Sequence, residues 1–332
     1  MKKILLAATV LTGFAAVGPA QASLTLFTSY TGNAGMTTDG CGSNDATCTL
    51  QSVVPTGSTI QSAYLYSSTF NPSVNPNGTT LQTGLGAPIA PTFTPLGVAD
   101  GFLQAWRANV TSYVQANMAL GGATLTVNEG AQTSVLDGEG LVVTYSNPSL
   151  PTATVFILDG FSQSGGDTSH VVFDALQPGF TAVMALGDGY SYDGPDPHAP
   201  TNSDQVSTIV ANGTTLTNVA GHCDDDQTYP CLNGSLITVG GYNAGTDSDP
   251  FTPFPNPTVG EDHELYNLAN VLSDGQTSLT LNTNNPSDND NIFLEAFLIS
   301  GKAHVITTPE PASLALLGAG LLGLGLARRK RR

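Results

Sequence analysis

Basic side chains are nearly missing from the middle of this sequence. Lys2 and Lys3 open the 332-residue chain and Arg328, Arg329, Lys330, Arg331 and Arg332 close it, which leaves Arg107 and Lys302 as the only cations between. Residues 23–308 hold 25 acids against those two bases, a net charge of −23. A body so charged repels phosphate backbones, and nucleic acid is excluded as a partner. Tryptophan occurs once and cysteine four times. No segment repeats, and helical periodicity is almost lacking. The five histidines form no HExxH or HxH pattern. What is present is 40% hydrophobic residues, enough to argue against wholesale disorder, with 37 Gly and 21 Pro that point to many short strands and turns.

The N-terminal 22 residues read as a secretory signal. Lys2 and Lys3 supply the positive start, Ile4 to Val17 the apolar stretch, and Ala20-Gln21-Ala22 a small-residue cleavage pattern, so the mature chain begins at Ser23. Export into an oxidising compartment makes two local disulfides, Cys41–Cys48 and Cys223–Cys231, the simplest reading of the cysteines. The alternative is a zinc site joining the cysteines and His222. Neither pair has the tight spacing of zinc knuckles.

The C-terminal end has three parts: Pro309-Glu310-Pro311, an uncharged run from Ala312 to Ala327, and Arg328, Arg329, Lys330, Arg331 and Arg332. As a transmembrane helix the 16 uncharged residues span about 24 Å, short of a ~30 Å hydrocarbon core, and snorkelling arginines or local thinning cover the deficit. The basic cluster stays cytoplasmic and places everything upstream outside the inner membrane. Gly318, Gly320, Gly323 and Gly325 allow close approach of a second membrane helix. In this order the three features resemble the PEP-CTERM sorting signal. The resemblance implies recognition by an exosortase, a membrane-embedded cysteine transpeptidase-like enzyme that processes the tail near the triplet and releases or transfers the exported body. It also implies a Gram-negative source that makes exopolysaccharide, biofilm or floc. A plain permanent anchor is the competing reading.

Between the ends, strands are expected at Leu24–Tyr30, Thr47–Val54, Thr59–Ser67, Ala123–Asn128, Gly140–Ser146 and Ala153–Asp159, then at Ser169–Ala175, Thr181–Leu186, Gln205–Val210, Leu236–Val239, Ser278–Thr283 and Asn291–Ser300. This pattern predicts an all-β body, an antiparallel β-sandwich or jelly roll. One or two short helices cap it. Leu265, Leu268, Ala269 and Leu272, followed by Gly275, have helical spacing, and Trp106–Met118 is a weaker candidate. The expected divisions are signal 1–22, sandwich 23–303, linker 304–308 and tail 309–332. Ala63-Tyr64-Leu65-Tyr66, Val110–Val114, Gly138–Val143, Asp159-Gly160, Asp262–Leu268 and Asn285–Ile292 resemble an uncharacterised β-sandwich family of exported prokaryotic surface proteins. That resemblance implies no activity.

Candidate chemistry is sparse. Gly160-Phe161-Ser162-Gln163-Ser164 lacks the glycine that a nucleophile elbow needs two residues after its serine, and reads as a turn. Asp224-Asp225-Asp226, Glu261-Asp262-His263-Glu264 and Asp288-Asn289-Asp290-Asn291 concentrate oxygen ligands in loops, and Glu261, Asp262, Asp288 and Asp290 are the candidate calcium ligands. None fits an EF-hand. The run Asp290-Asn291-Ile292-Phe293-Leu294 entering a last strand is similar to the closing strand of calcium-containing carbohydrate-binding jelly rolls, an analogy of fold only. Trp106, Tyr190, Tyr192, Tyr229 and Tyr242 are candidate sugar-stacking platforms. The function expected is that of a non-enzymatic structural or adhesive component of an extracellular polysaccharide or matrix, bridged by divalent cations. The alternatives are a calcium-dependent carbohydrate-binding protein and, behind it, a secreted hydrolase.

Overall fold

A computed structural model describes residues 24–306, apart from 43–45, 72, 100, 102, 133–134, 164, 190–206, 222–236, 249–250, 253–263 and 287–290. The signal segment, the linker residues beyond 306 and the sorting tail lie outside the described residues. So do Cys223, Cys231, Glu261, Asp262, Asp288, Asp290, Tyr190, Tyr192 and Tyr229.

In chain order the first strands are β1 Thr25–Gly32, β2 Ala34–Gly42, β3 Thr47–Ser52, β4 Thr59–Thr69, β5 Thr80–Thr83, β6 Phe93–Ala99 and β7 Leu103–Asn109. After the helix α1, Thr111–Asn117, come β8 Ala123–Asn128, β9 Leu136–Ser146, β10 Ala153–Asp159, β11 Thr168–Phe173 and β12 Ala182–Gly189. The remainder are β13 Ser207–Ala211, β14 Thr214–Ala220, β15 Ile237–Val239, β16 Leu265–Asn267, β17 Ser278–Asn284, β18 Asn291–Ser300 and β19 Ala303–Val305. All pairings are antiparallel, as the alternating sequence pattern predicts.

The all-β antiparallel sandwich expected from the sequence is borne out, and among the described residues its strands form four sheets. An inner sheet runs β1-β10-β18-β12-β15 with β16 beside β12, and a second inner sheet runs β2-β9-β4-β7-β6. Outer sheets of order β14-β13-β17-β11-β19 and β3-β8-β5 cover them. Side-chain alternation shows the stacking. On β10, Phe156 and Leu158 join Val171, Ile209 and Leu281 of the first outer sheet, while Val155 and Ile157 join Met36, Tyr66 and Val142 of the second inner sheet. On β9, Val142 faces that central layer, and Leu141 and Val143 pack on Leu50, Leu125 and Val127 of the second outer sheet. Three apolar layers therefore separate four sheets, and both inner sheets are covered on both faces.

That double burial explains the strands absent from the pattern. In β2, AGMTTDGCG, every residue is buried, so threonines, glycines and an aspartate sit where alternation would demand apolar side chains. Gly138 sits at φ +125°, and a Cβ there would stand 2.1 Å from the Cys41 carbonyl and 2.5 Å from Ile237 Cγ2. Only glycine permits the two inner sheets to meet there. Two helix expectations are corrected. Leu265–Leu272 is β16 followed by a single 3-10 turn, Leu268–Asn270, because β16 pairs with Val183–Ala185. In Trp106–Met118 only Thr111–Asn117 is helical, with Trp106 on β7. β19 pairs with Val171–Phe173, so the sheet takes in residues 304 and 305 that the sequence placed in a linker.

Candidate functional site at the polar end of the central layer

Both inner sheets end in polar residues at one end of the layer they share. There β4 delivers Tyr66 and Ser68, β7 delivers Arg107, and β10 delivers Asp159. Arg107 forms a salt bridge with Asp159 across the layer, one carboxylate oxygen of which also accepts from the Tyr66 hydroxyl at 2.9 Å. The guanidinium lies 3.3 Å from the centre of the Phe27 ring, which packs edge-on against Tyr64. Burial lifts the Asp159 carboxyl above its ordinary value even though Arg107 and Tyr66 pull it down, so desolvation outweighs pairing. The chain's single body arginine is thus committed to a buried ion pair.

Beyond Asp159 the chain crosses to β18. Ser162 donates its backbone N–H to Ile292, and Asn291 donates to the Ser162 carbonyl at 2.6 Å. The Ser162 Oγ is buried and has no hydrogen-bond partner among the described residues, so no described base activates it. The segment is the inter-strand turn that its sequence predicts.

A second group of acids gathers at β9 and its neighbours. Asp137 accepts from Ser68 Oγ at 2.5 Å, and Glu139 lies opposite Cys41 and Ser67 in the strand register. Glu129, from the end of β8, reaches Glu139. Burial and then the Asp137 charge push Glu129 up to about 8. Burial pushes Asp137 up to about 7 against the Ser68 hydrogen bond, and burial with the neighbouring Glu129 holds Glu139 well above the carboxylate range. The Cys41–Cys48 disulfide, expected from the sequence, stands beside Glu139 and ties β2 of the inner sheet to β3 of the outer one.

Among the described residues eight acids are buried: Asp39, Glu129, Asp137, Glu139, Asp159, Asp188, Glu264 and Glu295. The exterior is therefore less acidic than −23 suggests. Sequence reasoning placed its acidic chemistry in loops, Glu264 among them, and did not foresee the buried groups on the strands. One signal was available, a carboxylate inside a strongly apolar strand, as in NIFLEAFLIS (Glu295) or ATVFILD (Asp159). Trp106 is not a platform: it is buried and donates to Thr69 Oγ1 at 3.0 Å. Tyr242 is half-buried and its backbone is bridged to Thr38.

Comparison with known proteins bears on the tail. Residues 307–332 match the PEP-CTERM protein-sorting motif. The PEP-CTERM match takes in Pro309, Glu310, Pro311 and the terminal basic cluster, does not extend into the β-stack, and implies an exosortase as processing partner for an exported protein. No curated protein matches the chain. Among solved structures, that of a peptide-N(4)-(N-acetyl-β-D-glucosaminyl)asparagine amidase aligns over 82% of this chain and 100% of its own, at 11% identity and a TM-score of 0.28. A similarity that low carries no argument about fold or activity. Among the described residues no helix is long and apolar enough to cross a membrane, and Ala312–Ala327 lies outside them.

Proposed function

We infer that this chain is exported, anchored briefly by its tail in the inner membrane, processed by an exosortase and delivered to the cell surface or extracellular matrix. There it serves as a structural, non-catalytic component that associates with acidic exopolysaccharide through divalent cations. The observation that carries the reading is the PEP-CTERM match at residues 307–332, attached to an acidic body. The packing is in keeping with a load-resisting role. Four sheets bonded through three apolar layers make a stiff unit, and Asp137 and Glu139 are buried against serine hydroxyls and a disulfide.

The test has two arms. Deleting Pro309, Glu310 and Pro311 should leave full-length chains in the inner-membrane fraction, whereas the parent appears shortened in the matrix fraction. A deletion variant that matures and reaches the matrix normally overturns the sorting. Purified body should sediment with acidic exopolysaccharide in millimolar Ca2+ and stay soluble in EDTA. Sedimentation indifferent to EDTA overturns the cation bridge, and breakdown of the polysaccharide overturns the non-catalytic role.

A further inference from the structure

The group around the disulfide has the makings of a second, metal-bound state. Cys48 Sγ lies 3.8 Å from Glu139 Oε2, and both cysteine sulfurs with a carboxylate oxygen of Glu139 lie within 4.8 Å of one another. A tetrahedral ion with metal–sulfur bonds of about 2.3 Å and metal–oxygen bonds of about 2.1 Å holds its ligands roughly 3.4–3.8 Å apart. The two Cα atoms stand 5.9 Å apart, so the sulfurs reach that spacing by side-chain rotation once the bond between them is broken.

The independent observation comes from the outer sheet. Glu129, only 2% exposed, reaches Glu139 from the end of β8, and its buried Oε2 meets no donor in the described protein. Glu129 and Glu139 are hydrogen-bonded to each other through a shared carboxyl proton, and a metal ion bound there takes that proton's place. Arg107, the one arginine of residues 23–308, is already paired with Asp159.

We propose that the dithiol form of Cys41 and Cys48, together with Glu139 and with the neighbouring Glu129 drawn in as fourth ligand, is a site for Zn2+ or a similar borderline-soft divalent ion. Metal and disulfide are then alternative clasps between β2 and β3. A dithiol reductant gives up its two hydrogens to the bridge, becomes a disulfide itself and leaves two cysteine thiols. The ion displaces both thiol protons and the proton between the carboxyl groups, and these pass to solvent. In the oxidising exterior the disulfide is the resting clasp, and the metal serves wherever the bridge is reduced.

The probe is Co2+, titrated into the full chain carrying Cys223→Ser and Cys231→Ser, reduced with a phosphine and desalted without oxygen. The expected result is one ion per chain, with sulfur-to-cobalt charge transfer in the near ultraviolet, strong tetrahedral bands in the visible and at least two protons released. Added Zn2+ abolishes the colour, and the oxidised chain shows none. Glu139→Gln and Glu129→Gln each weaken binding at least tenfold, with circular dichroism verifying the fold. If Glu139→Gln does not fold, Glu129→Gln decides. The proposal is overturned if the reduced chain binds no Co2+, if the oxidised chain binds it equally, or if the folded glutamine variants bind like the parent.

Discussion

Replacing Arg107 by Met tests whether the central layer is held by an ion pair or merely contains one. The pair spans the two inner sheets, and its side chains are 18% and 6% exposed for Arg107 and Asp159. Methionine keeps an unbranched stem over Phe27 and removes the charge. What remains is a buried carboxylate whose pKa, already raised by burial, rises further. Breaking one side of a buried pair costs about 3–5 kcal/mol, whereas replacing both sides with neutral groups is close to neutral. The sign with pH follows from the raised pKa. The unfolded Asp159 ionises first, so the variant loses stability progressively as pH climbs from the ordinary aspartate value toward the folded one. Urea unfolding at pH 8 should show a loss of about 3–5 kcal/mol for Arg107→Met, shrinking to roughly 1–2 kcal/mol at pH 5, where the carboxyl takes up a proton. The double variant Arg107→Met/Asp159→Asn should return to within about 1 kcal/mol of the parent at both pH values. Additive losses with no pH dependence would refute the reasoning, and the layer would then owe its cohesion to apolar packing alone.

Other outcomes follow from the same structure. Glu295, fully buried between sheets with Ser169 donating to it at 3.0 Å, is pushed by burial up to about 8. Glu295→Gln should match the parent near pH 4 and be more stable at pH 8, because the parent loses stability as pH rises between the unfolded value of 4.5 and about 8; equal pH profiles in thermal denaturation would sink this. Gly138→Ala should destabilise by roughly 3 kcal/mol or more, since its Cβ meets backbone at 2.1 Å, while Gly84→Ala, with nothing within 4 Å, should be near neutral. Cys41→Ser with Cys48→Ser, which opens a loop of separation 7, should cost about 2.5 kcal/mol in non-reducing buffer, read by the shift in unfolding midpoint.

Much of the architecture can be read without coordinates. Ala123–Asn128, Ala153–Asp159 and Asn291–Ser300 are strands with the bounds their composition predicts, and Cys41–Cys48 is bridged as the short spacing and export signal suggest. Strands with weak alternation were not legible. β2 and β14 carry threonine, glycine and asparagine, and β5 and β19 are too short to show a period. Leu265–Leu272 misled for a definite reason. Its leucines meet the helical spacing, yet β12 offers an open edge there, and pairing with Val183–Ala185 satisfies more backbone than one helical turn can.

The sequence alone determined where the chain is sent, because a sorting tail is a linear signal of triplet, apolar run and charge, read by a partner before any fold matters. It likewise determined the strand content, since alternation and β-branched residues act over a few neighbours. Tertiary structure alone decided the rest. Stacking four sheets buried eight acids that charge arithmetic placed in water, joined Arg107 to Asp159 across 52 positions of sequence, and set Glu129 and Glu139 against a disulfide. Those contacts arise from packing between residues far apart in the chain, and no local pattern encodes them.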